Sequence, residues 1–555
     1  MAERPRVSER LTRRLLLSVV AILLFGWVFL YRFNTLGGAF GGFDNDHFLH
    51  FVYAKQVQAG EQPLRDFLDA GLQGARPSLT YELSAAAQAY FGDNLRSEAW
   101  LTVGGVALGA VVAFIAGSLI APWPWALATA LLSALISPKL YSYPKVLVTA
   151  VASLLIVSAS RLPPWPRVAL MSVWTAVAFL FRHDYAIYCV AGFAAVTVCA
   201  AKVSWRDRLT QAAAYFVITG VLLAPSLWWV QRYRGLTEYV RNGLEMSRNE
   251  AERTRIGWPH LTLDGGVASI AGDEDNAEAW IYYVFLAVPV VVIGVTAWKL
   301  IRRGTEPQAP VAALIALSVM TALLSHYFLR GNLAARFGDM SPPMAVLAAY
   351  LLFVSTRRLA VDWRRALPGA AIAGALFVIT VLCTWQLASV SGELRTARLL
   401  EPADVFARAR QASQDLVTMP ASLRELQAGD RMQASAYLHR CTKPADRVLV
   451  MGYATDVLAF SERLFAGRRA SFVIGFYADE RYEKETVASL QSTSVPIVLG
   501  GELLDDARLP LIVNYLRSHY DEAGRVRFYE SELRVLVRRG LAGQSSGPGG
   551  LPCFG

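Results

Sequence analysis

The sequence predicts a polytopic α-helical membrane protein of about eleven transmembrane helices, with a C-terminal α/β domain outside the bilayer. Three observations carry this reading. Of 555 residues, 54% are apolar and only 18% are charged, where soluble domains hold about a quarter charged. Long apolar runs recur through the first 390 residues. Beyond them, residues 391–541 change to alternating helix and strand patterns. This composition excludes a soluble enzyme, a disordered chain and a disulfide scaffold.

A membrane-spanning helix needs about 20 mostly apolar residues. Eleven segments meet or approach that length: 15–33, 98–120, 123–138, 144–160, 167–181, 184–201, 210–230, 280–299, 309–328, 340–356 and 368–390. The third to sixth are short, and Pro122, Pro124, Pro138, Pro144 and Pro166 mark their ends. The first follows Arg13 and Arg14 and is too long for a signal-peptide core, so it reads as an uncleaved anchor.

Orientation follows from Lys and Arg placement. With the N-terminus inside, segments 1–14, 161–167, 201–210, 299–308 and 356–367 are cytoplasmic and hold 17 Lys/Arg against five acids. Their net charge of +12 exceeds the +10 of the whole chain, so the remainder is −2. The basic excess is therefore a topology signal, and nothing is left over that calls for nucleic acid. A multi-pass protein of the inner (plasma) membrane is expected, its N-terminus cytoplasmic and its C-terminal domain extracytoplasmic.

The expected domains are a membrane module, 1–390, with a first outer loop at 34–97 and a middle outer loop at 231–279. A C-terminal α/β domain, 391–541, and a disordered tail, 542–555, follow. In the C-terminal domain, helices are expected at 433–442, 455–463 and 511–520, and strands at 446–453, 495–500 and around 526–537. Such alternation argues for a largely parallel sheet. No glycine-rich phosphate loop occurs there. The cysteines give no pattern: Cys189, Cys199 and Cys383 lie in spans, and Cys441 and Cys553 stand apart, supporting neither a metal site nor a disulfide framework.

The first outer loop places Asp44 and Asp46 directly after a glycine-rich turn. From Asp46, the residues Phe48, Phe51, Val52, Lys55 and Val57 predict an amphipathic helix on the membrane surface, and a second is expected from about Ser78 to Phe91. The two carboxylates suit a general base, or a pair of oxygen ligands for a divalent cation. Asp also caps helices, and capping does not exclude catalysis. No cofactor beyond such a cation is suggested.

Cations are disfavoured on the outer side, yet several short outer turns carry them. Lys139 and Lys145 flank SPKLYSYPK, and Arg182, His183 and Asp184 form a triplet between two spans. Arg232 and Arg234 follow the seventh span, and Arg330 and Arg336 lie in LRGNLAARFGD. Singly, each is a snorkelling anchor. Together, a ring of cations beside an apolar groove suits a lipid-linked phosphate. The Asp184 carboxylate either orients His183 through Arg182 or forms a structural ion pair.

The stretch containing Asp46, Tyr53, Ala54, Ala59, Gly60, then Pro63, Leu64, Arg65, Asp66, Phe67 and finally Asp69 resembles the first outer loop of GT-C glycosyltransferases. It is most similar to the bacterial branch related to protein O-mannosyltransferases and aminoarabinose transferases. The Pro144–Lys145 turn, FRHDY (181–185) and YLHRCTKPADRVLVMGY (437–453) also resemble that branch. Two features depart from it. His47 stands where an acidic residue or small polar pair is common, and Trp228 and Trp229 precede Val230 rather than the Asp of a WWD motif.

The resemblance implies transfer of a sugar from a polyprenyl-phosphate carrier to an envelope glycan, lipid or protein on the outer face. Asp46, with Asp44 beside it, takes the base role. Lys139, Lys145, Arg182, Arg330 and Arg336 would hold the donor phosphate. Asp66, His183, Asp184 and His260 would be acceptor-side or structural. The middle loop, with Trp258, Pro259 and His260, could form a lid or a solvated loop. The rival readings are a polyprenyl-phosphate-sugar or lipid transporter using the same cations, and a non-catalytic relative acting in envelope assembly.

Overall fold

The structure, a computed structural model, describes residues 7–36, 43, 45–68, 79–136, 143–199, 203–262, 264, 273–303, 309–327, 329, 333–360, 363–387, 390–399, 401–425, 432–473, 480–529, 531–541, 543, 545–547 and 550–554. The chain forms two compact units. One comprises residues 1–35, 99–225 and 254–409; the other comprises 36–98, 226–253 and 410–555.

The first unit is helical, and eleven apolar helices match the eleven expected spans. Among the described residues, seven helices are long and apolar enough to cross a membrane, and four more are shorter apolar helices. In chain order through both units, α1 is Val7–Asn34, α2 Asn45–Gln58, α3 Leu79–Phe91, α4 Leu95–Ser118 and α5 Trp123–Leu135, with α2, α3 and α10 belonging to the second unit. Next come α6 Tyr143–Ser158, α7 Pro164–Phe181, α8 His183–Val198, α9 Trp205–Tyr233 and α10 Leu236–Thr254. The series continues with α11 Glu274–Arg303, α12 Ala309–Tyr327, α13 Ala334–Leu359, α14 Trp363–Leu387, α15 Val390–Ala397 and α16 Pro402–Glu425. The protein is a multi-pass membrane protein. The 13 residues of α5 rise only about 20 Å against a hydrocarbon core of about 30 Å, so this helix does not cross alone at full thickness.

Two devices satisfy backbone groups that the spans would leave bare. Pro289 removes a donor from α11, and the Phe285 carbonyl it frees accepts from Ser325 Oγ at 3.4 Å. At the end of α5, Arg32 Nη2 donates to the carbonyls of Ala134 (2.6 Å) and Leu135 (3.1 Å). The same guanidinium meets Glu393 of α15 at 3.3 Å, and Asn34 Nδ2 donates to the carbonyls of Ala397 and Val405. These contacts group the segment after residue 390 with the membrane helices. The observed division therefore differs from a cut at residue 390.

The second unit contains a five-stranded sheet of order β2-β1-β3-β5-β4. It is built from α17 (Gln433–Cys441), β1 (Arg447–Met451), α18 (Thr455–Ser461), β2 (Leu464–Phe465), α19 (Glu480–Ser492) and β3 (Ile497–Gly500). Helix α20 (Pro510–His519), β4 (Tyr520–Phe528) and β5 (Ser531–Arg538) complete it. Strands β2, β1 and β3 pair in parallel, whereas β5 and β4 are antiparallel. The sheet is thus mixed rather than largely parallel. The expected single late strand is a hairpin, because alternation from Tyr520 continues across the turn at Tyr529.

The sheet is buried on both faces. Leu449 and Met451 point into a core with Leu490, Ile512 and Leu516, while Val448 and Val450 point into one with Tyr437, Leu438, Val457 and Leu458. Leu49, Val52 and Tyr53 of α2 belong to this second core, so the first outer loop folds with the C-terminal segment. This corrects the membrane-surface expectation for α2. Residues 47–54 are buried without interruption, and a helix that is apolar on all sides belongs inside. Tyr53 stacks on Tyr81 of α3 at 4.9 Å, and its hydroxyl donates to the Leu68 carbonyl at 2.6 Å.

Two further expectations are corrected. Within 542–555, β6 (Ser545–Ser546) pairs with β7 (Pro552–Cys553), and Leu551, Cys553 and Phe554 are buried in the sheet's core. Cys553 is disulfide-bonded to Cys441, so two cysteines that stand 112 residues apart form a pair. The middle loop is helical over α10, where Tyr239 is buried and Asn242 Nδ2 donates to the Tyr482 hydroxyl at 2.7 Å.

Candidate active site

The candidate site of the first unit begins with two prolines. Pro342 and Pro343 lie inside α13 and carry no N–H, so the carbonyls of Gly338 and Asp339 lose their helical partners. Ser341 Oγ donates to the Gly338 carbonyl at 2.9 Å, and Thr149 Oγ1 of α6 reaches the Asp339 carbonyl at 3.2 Å. The opening of α13 is thereby bonded to α6. The side chains follow: Lys145 Nζ, one turn before Thr149, lies 3.0 Å from Asp339 Oδ2. Both are buried, with side-chain exposures of 5% and 0%. A buried charge needs such a partner.

A second ion pair forms where α7 gives way to α8. Arg182 is extended (φ −162°, ψ 130°), which ends one helix and turns its guanidinium towards the start of the next. It forks onto Asp184, with Nε 3.0 Å from Oδ1 and Nη2 2.6 Å from Oδ2. Asp184 Oδ1 also accepts from the Tyr185 N–H at 3.1 Å, and the guanidinium lies 5.5 Å from the Tyr185 ring centroid. His183 packs edge-on against Phe179 at 4.4 Å.

These groups form one electrostatic cluster: Lys145 feels Asp339, Arg182 and Arg336, and Asp184 feels Lys145. Among the described residues of this cluster, three cations face two carboxylates, leaving one positive charge over. Three polar atoms of the cluster have no hydrogen-bond partner among the described residues: Asp339 Oδ1, Tyr185 Oη and Arg336 Nε. Such buried, unpaired atoms are costly unless a ligand completes them.

The structure thus brings together Lys145, Arg182, Asp184 and Arg336, with His183 on Phe179. Lys139 and Arg330 lie outside the described residues, as does Asp44. Asp46 stands in the first turn of α2, and its side chain lies outside the described set. His260 is exposed. Among the described residues, no group of three or more His, Cys, Asp or Glu gathers as a metal site.

Asp66 belongs to a clamped turn in the second unit. Its Oδ2 accepts from the Gln62 N–H and from Arg65 Nε, both at 2.8 Å. Burial raises its carboxyl, but the Arg65 and Gln62 bonds outweigh this and hold it below its ordinary value. Leu64 has φ +70°, a strained conformation for a bulky residue, and Arg468 opposite it has φ +65°. Arg468 over-determines the turn: its guanidinium donates to the carbonyls of Leu64, Arg65 and Asp66, at 2.8 to 3.2 Å. Glu485 in turn meets Arg468 at 3.2 Å and Arg234 at 2.7 Å. The structural role fits Asp66, and Arg234 is part of the same clamp rather than of the cation ring.

Sequence reasoning missed Asp339 and Arg468. Asp339 follows Arg336 by one turn at the start of an apolar span, just before a Pro-Pro pair, and that signal was present. Arg468 carries no local signal, since the turn it clamps lies about 400 residues away.

No protein-family profile and no curated protein matches the chain. Among solved structures, ArnT from Cupriavidus metallidurans bound to undecaprenyl phosphate is similar over 96% of this chain and 99% of its own, at 12% identity and a TM-score of 0.50. The archaeal oligosaccharyltransferase AglB from Archaeoglobus fulgidus, in complex with an inhibitory peptide and a dolichol-phosphate, aligns over 92% of this chain and 73% of its own, at 12% identity and a TM-score of 0.47. The likeness to ArnT shows a shared fold over nearly the whole chain.

Proposed function

We propose that this protein transfers a sugar from a polyprenyl-phosphate carrier to a cell-envelope acceptor on the outer face of the membrane, with inversion. The observation that carries the proposal is the buried cluster of Lys145, Arg182 and Arg336 with Asp184 and Asp339. One positive charge in excess among the described residues, where α6, α8 and α13 begin, suits the single negative charge of a sugar phosphodiester. Arg182 offers a planar fork and Lys145 a point charge. The fold shared with a protein that holds undecaprenyl phosphate supports the same chemistry.

In this reading Asp46 accepts the proton of the acceptor's hydroxyl or amine. The freed electron pair attacks the anomeric carbon. The bond from that carbon to the phosphate oxygen breaks, and polyprenyl phosphate leaves with the pair. Cations placed where charge develops stabilise the transition state, each by roughly 10²–10³ in rate.

Incubating the purified protein with labelled polyprenyl-phosphate sugars and envelope extracts tests the proposal. Label moving to an acceptor supports it. Movement of the intact donor across a vesicle membrane without bond cleavage would instead establish a transporter, and neither event a non-catalytic role.

A further inference from the structure

We propose that Asp339 is the resident counter-ion of Lys145, competing with the leaving polyprenyl phosphate and thereby speeding its release. The inference rests on the donor reading above and adds a residue which that reading does not need.

The geometry is that of an exchangeable pair. Lys145 Nζ is 3.0 Å from Asp339 Oδ2, both side chains are nearly inaccessible, and the Asp339 backbone is fixed separately through Thr149. The backbone that carries the carboxylate is therefore fixed whether or not Lys145 stays on it. Asp339 Oδ1 has no hydrogen-bond partner among the described residues, so the carboxylate is not saturated as a purely structural one would be. Arg336 precedes Asp339 by one turn on α13, and Arg182 lies within electrostatic range of Lys145. A phosphate drawn to these cations must share Lys145 with Asp339.

The two ligands differ in charge. A sugar phosphodiester carries one negative charge, whereas the phosphomonoester left after transfer carries about −1.5 to −2 near neutral pH. In a site of low polarity, the extra charge beside Asp339 is repelled more strongly than the same charge in water. Asp339 therefore discriminates against product. Two carboxylates against three cations match the donor and are overmatched by the product.

The test measures binding of undecaprenyl phosphate to the full chain in lipid nanodiscs, alongside steady-state transfer. The wild-type protein is expected to bind it, and Asp339→Asn to bind it about tenfold more tightly, the effect of one moderate charge contact. Its kcat should fall as product release slows, and donor KM should fall with it. A residue with only a structural role would move binding the other way. Asp339→Glu keeps the charge and should restore release. In the Lys145→Gln background, adding Asp339→Asn should tighten binding less than it does in the wild type, because the competition for Lys145 is gone and only direct repulsion remains to be relieved. Unchanged or weaker binding in a folded Asp339→Asn protein overturns the role of Asp339 alone. Failure of the wild-type protein to bind undecaprenyl phosphate overturns the donor reading as well.

Discussion

Cys441, the last residue of α17, is bonded to Cys553 of β7, and this bond anchors a glycine-rich segment against the sheet. Phe554 N–H donates to the Cys441 carbonyl at 2.8 Å, and the Tyr437 hydroxyl donates to the Pro552 carbonyl at 2.8 Å. The segment is held covalently, by backbone and by side chain.

Closing a loop of this length restricts the unfolded chain, an effect worth about 2–4 kcal/mol in typical proteins. Cys553→Ser, or reduction, should lower the midpoint of thermal unfolding measured by near-UV circular dichroism. Alkylating the denatured, unreduced protein should label three cysteines, Cys189, Cys199 and Cys383, and labelling of all five would show that the bond does not form.

Disulfides persist on the oxidising side of a membrane. In intact spheroplasts treated with reductant, a membrane-impermeant maleimide should therefore label Cys441 and Cys553. Labelling only after permeabilisation would place the C-terminal segment inside and reverse the orientation read from Lys and Arg.

Asp46→Asn should reduce transfer at least about 100-fold, the usual contribution of a general base, with the protein still folded in membranes. Full turnover by this variant would move the base to another residue.

Arg182→Lys keeps the charge and loses the fork onto Asp184. Donor KM should rise, on the order of tenfold for one lost charge-assisted contact. A change in expression level alone would make the pair structural. Lys145→Gln alone leaves Asp339 buried without its partner, a loss of about 3–5 kcal/mol in comparable pairs, so thermal stability should recover when Asp339→Asn is added.

Asp456 supplies a pH test. Burial raises its carboxyl above the ordinary range, although the Tyr529 hydroxyl at 2.6 Å and the Val457 N–H at 3.0 Å donate to it. The folded protein then holds this proton more readily than the unfolded chain. Its contribution to stability is greatest in acid and declines as pH rises through the carboxylate range. Asp456→Asn should flatten that part of the stability profile, and an unchanged profile would contradict the assignment.

Much of the membrane unit was legible because spanning a bilayer constrains every residue of a helix alike. Apolar length and proline ends located seven helices long enough to cross a membrane and four shorter apolar helices, each within a few residues. Lys145, Arg182 and Arg336 stood out as cations on the unexpected side, and the structure places them in one cluster. Their counter-charges were harder to read. Asp184 is two residues from Arg182 and visible at once, whereas Asp339 is 194 residues from Lys145.

The second unit shows the other limit. Its strands could be read from local alternation, but not which strands paired or which helix covered them. Helix α2 looked like a surface helix because Phe48, Phe51 and Val52 recur with helical spacing. It is a core helix because Leu49 and Tyr53 meet the sheet's face and Phe67 packs against Tyr53 at 5.2 Å. Arg468 and Cys553 were silent for the same reason: a hydrogen bond or disulfide to a residue more than a hundred positions away leaves no period in either segment.

By itself, then, the sequence determined that this is a multi-pass protein, where its spans lie and which cations sit at their ends. Hydrophobic transfer and the placement of charge act residue by residue along the chain. Tertiary structure decided that the first loop, α10 and the C-terminal segment share one core, that the tail is bonded in place, and that Asp339 faces Lys145. Those outcomes depend on packing between distant segments, which no local pattern encodes.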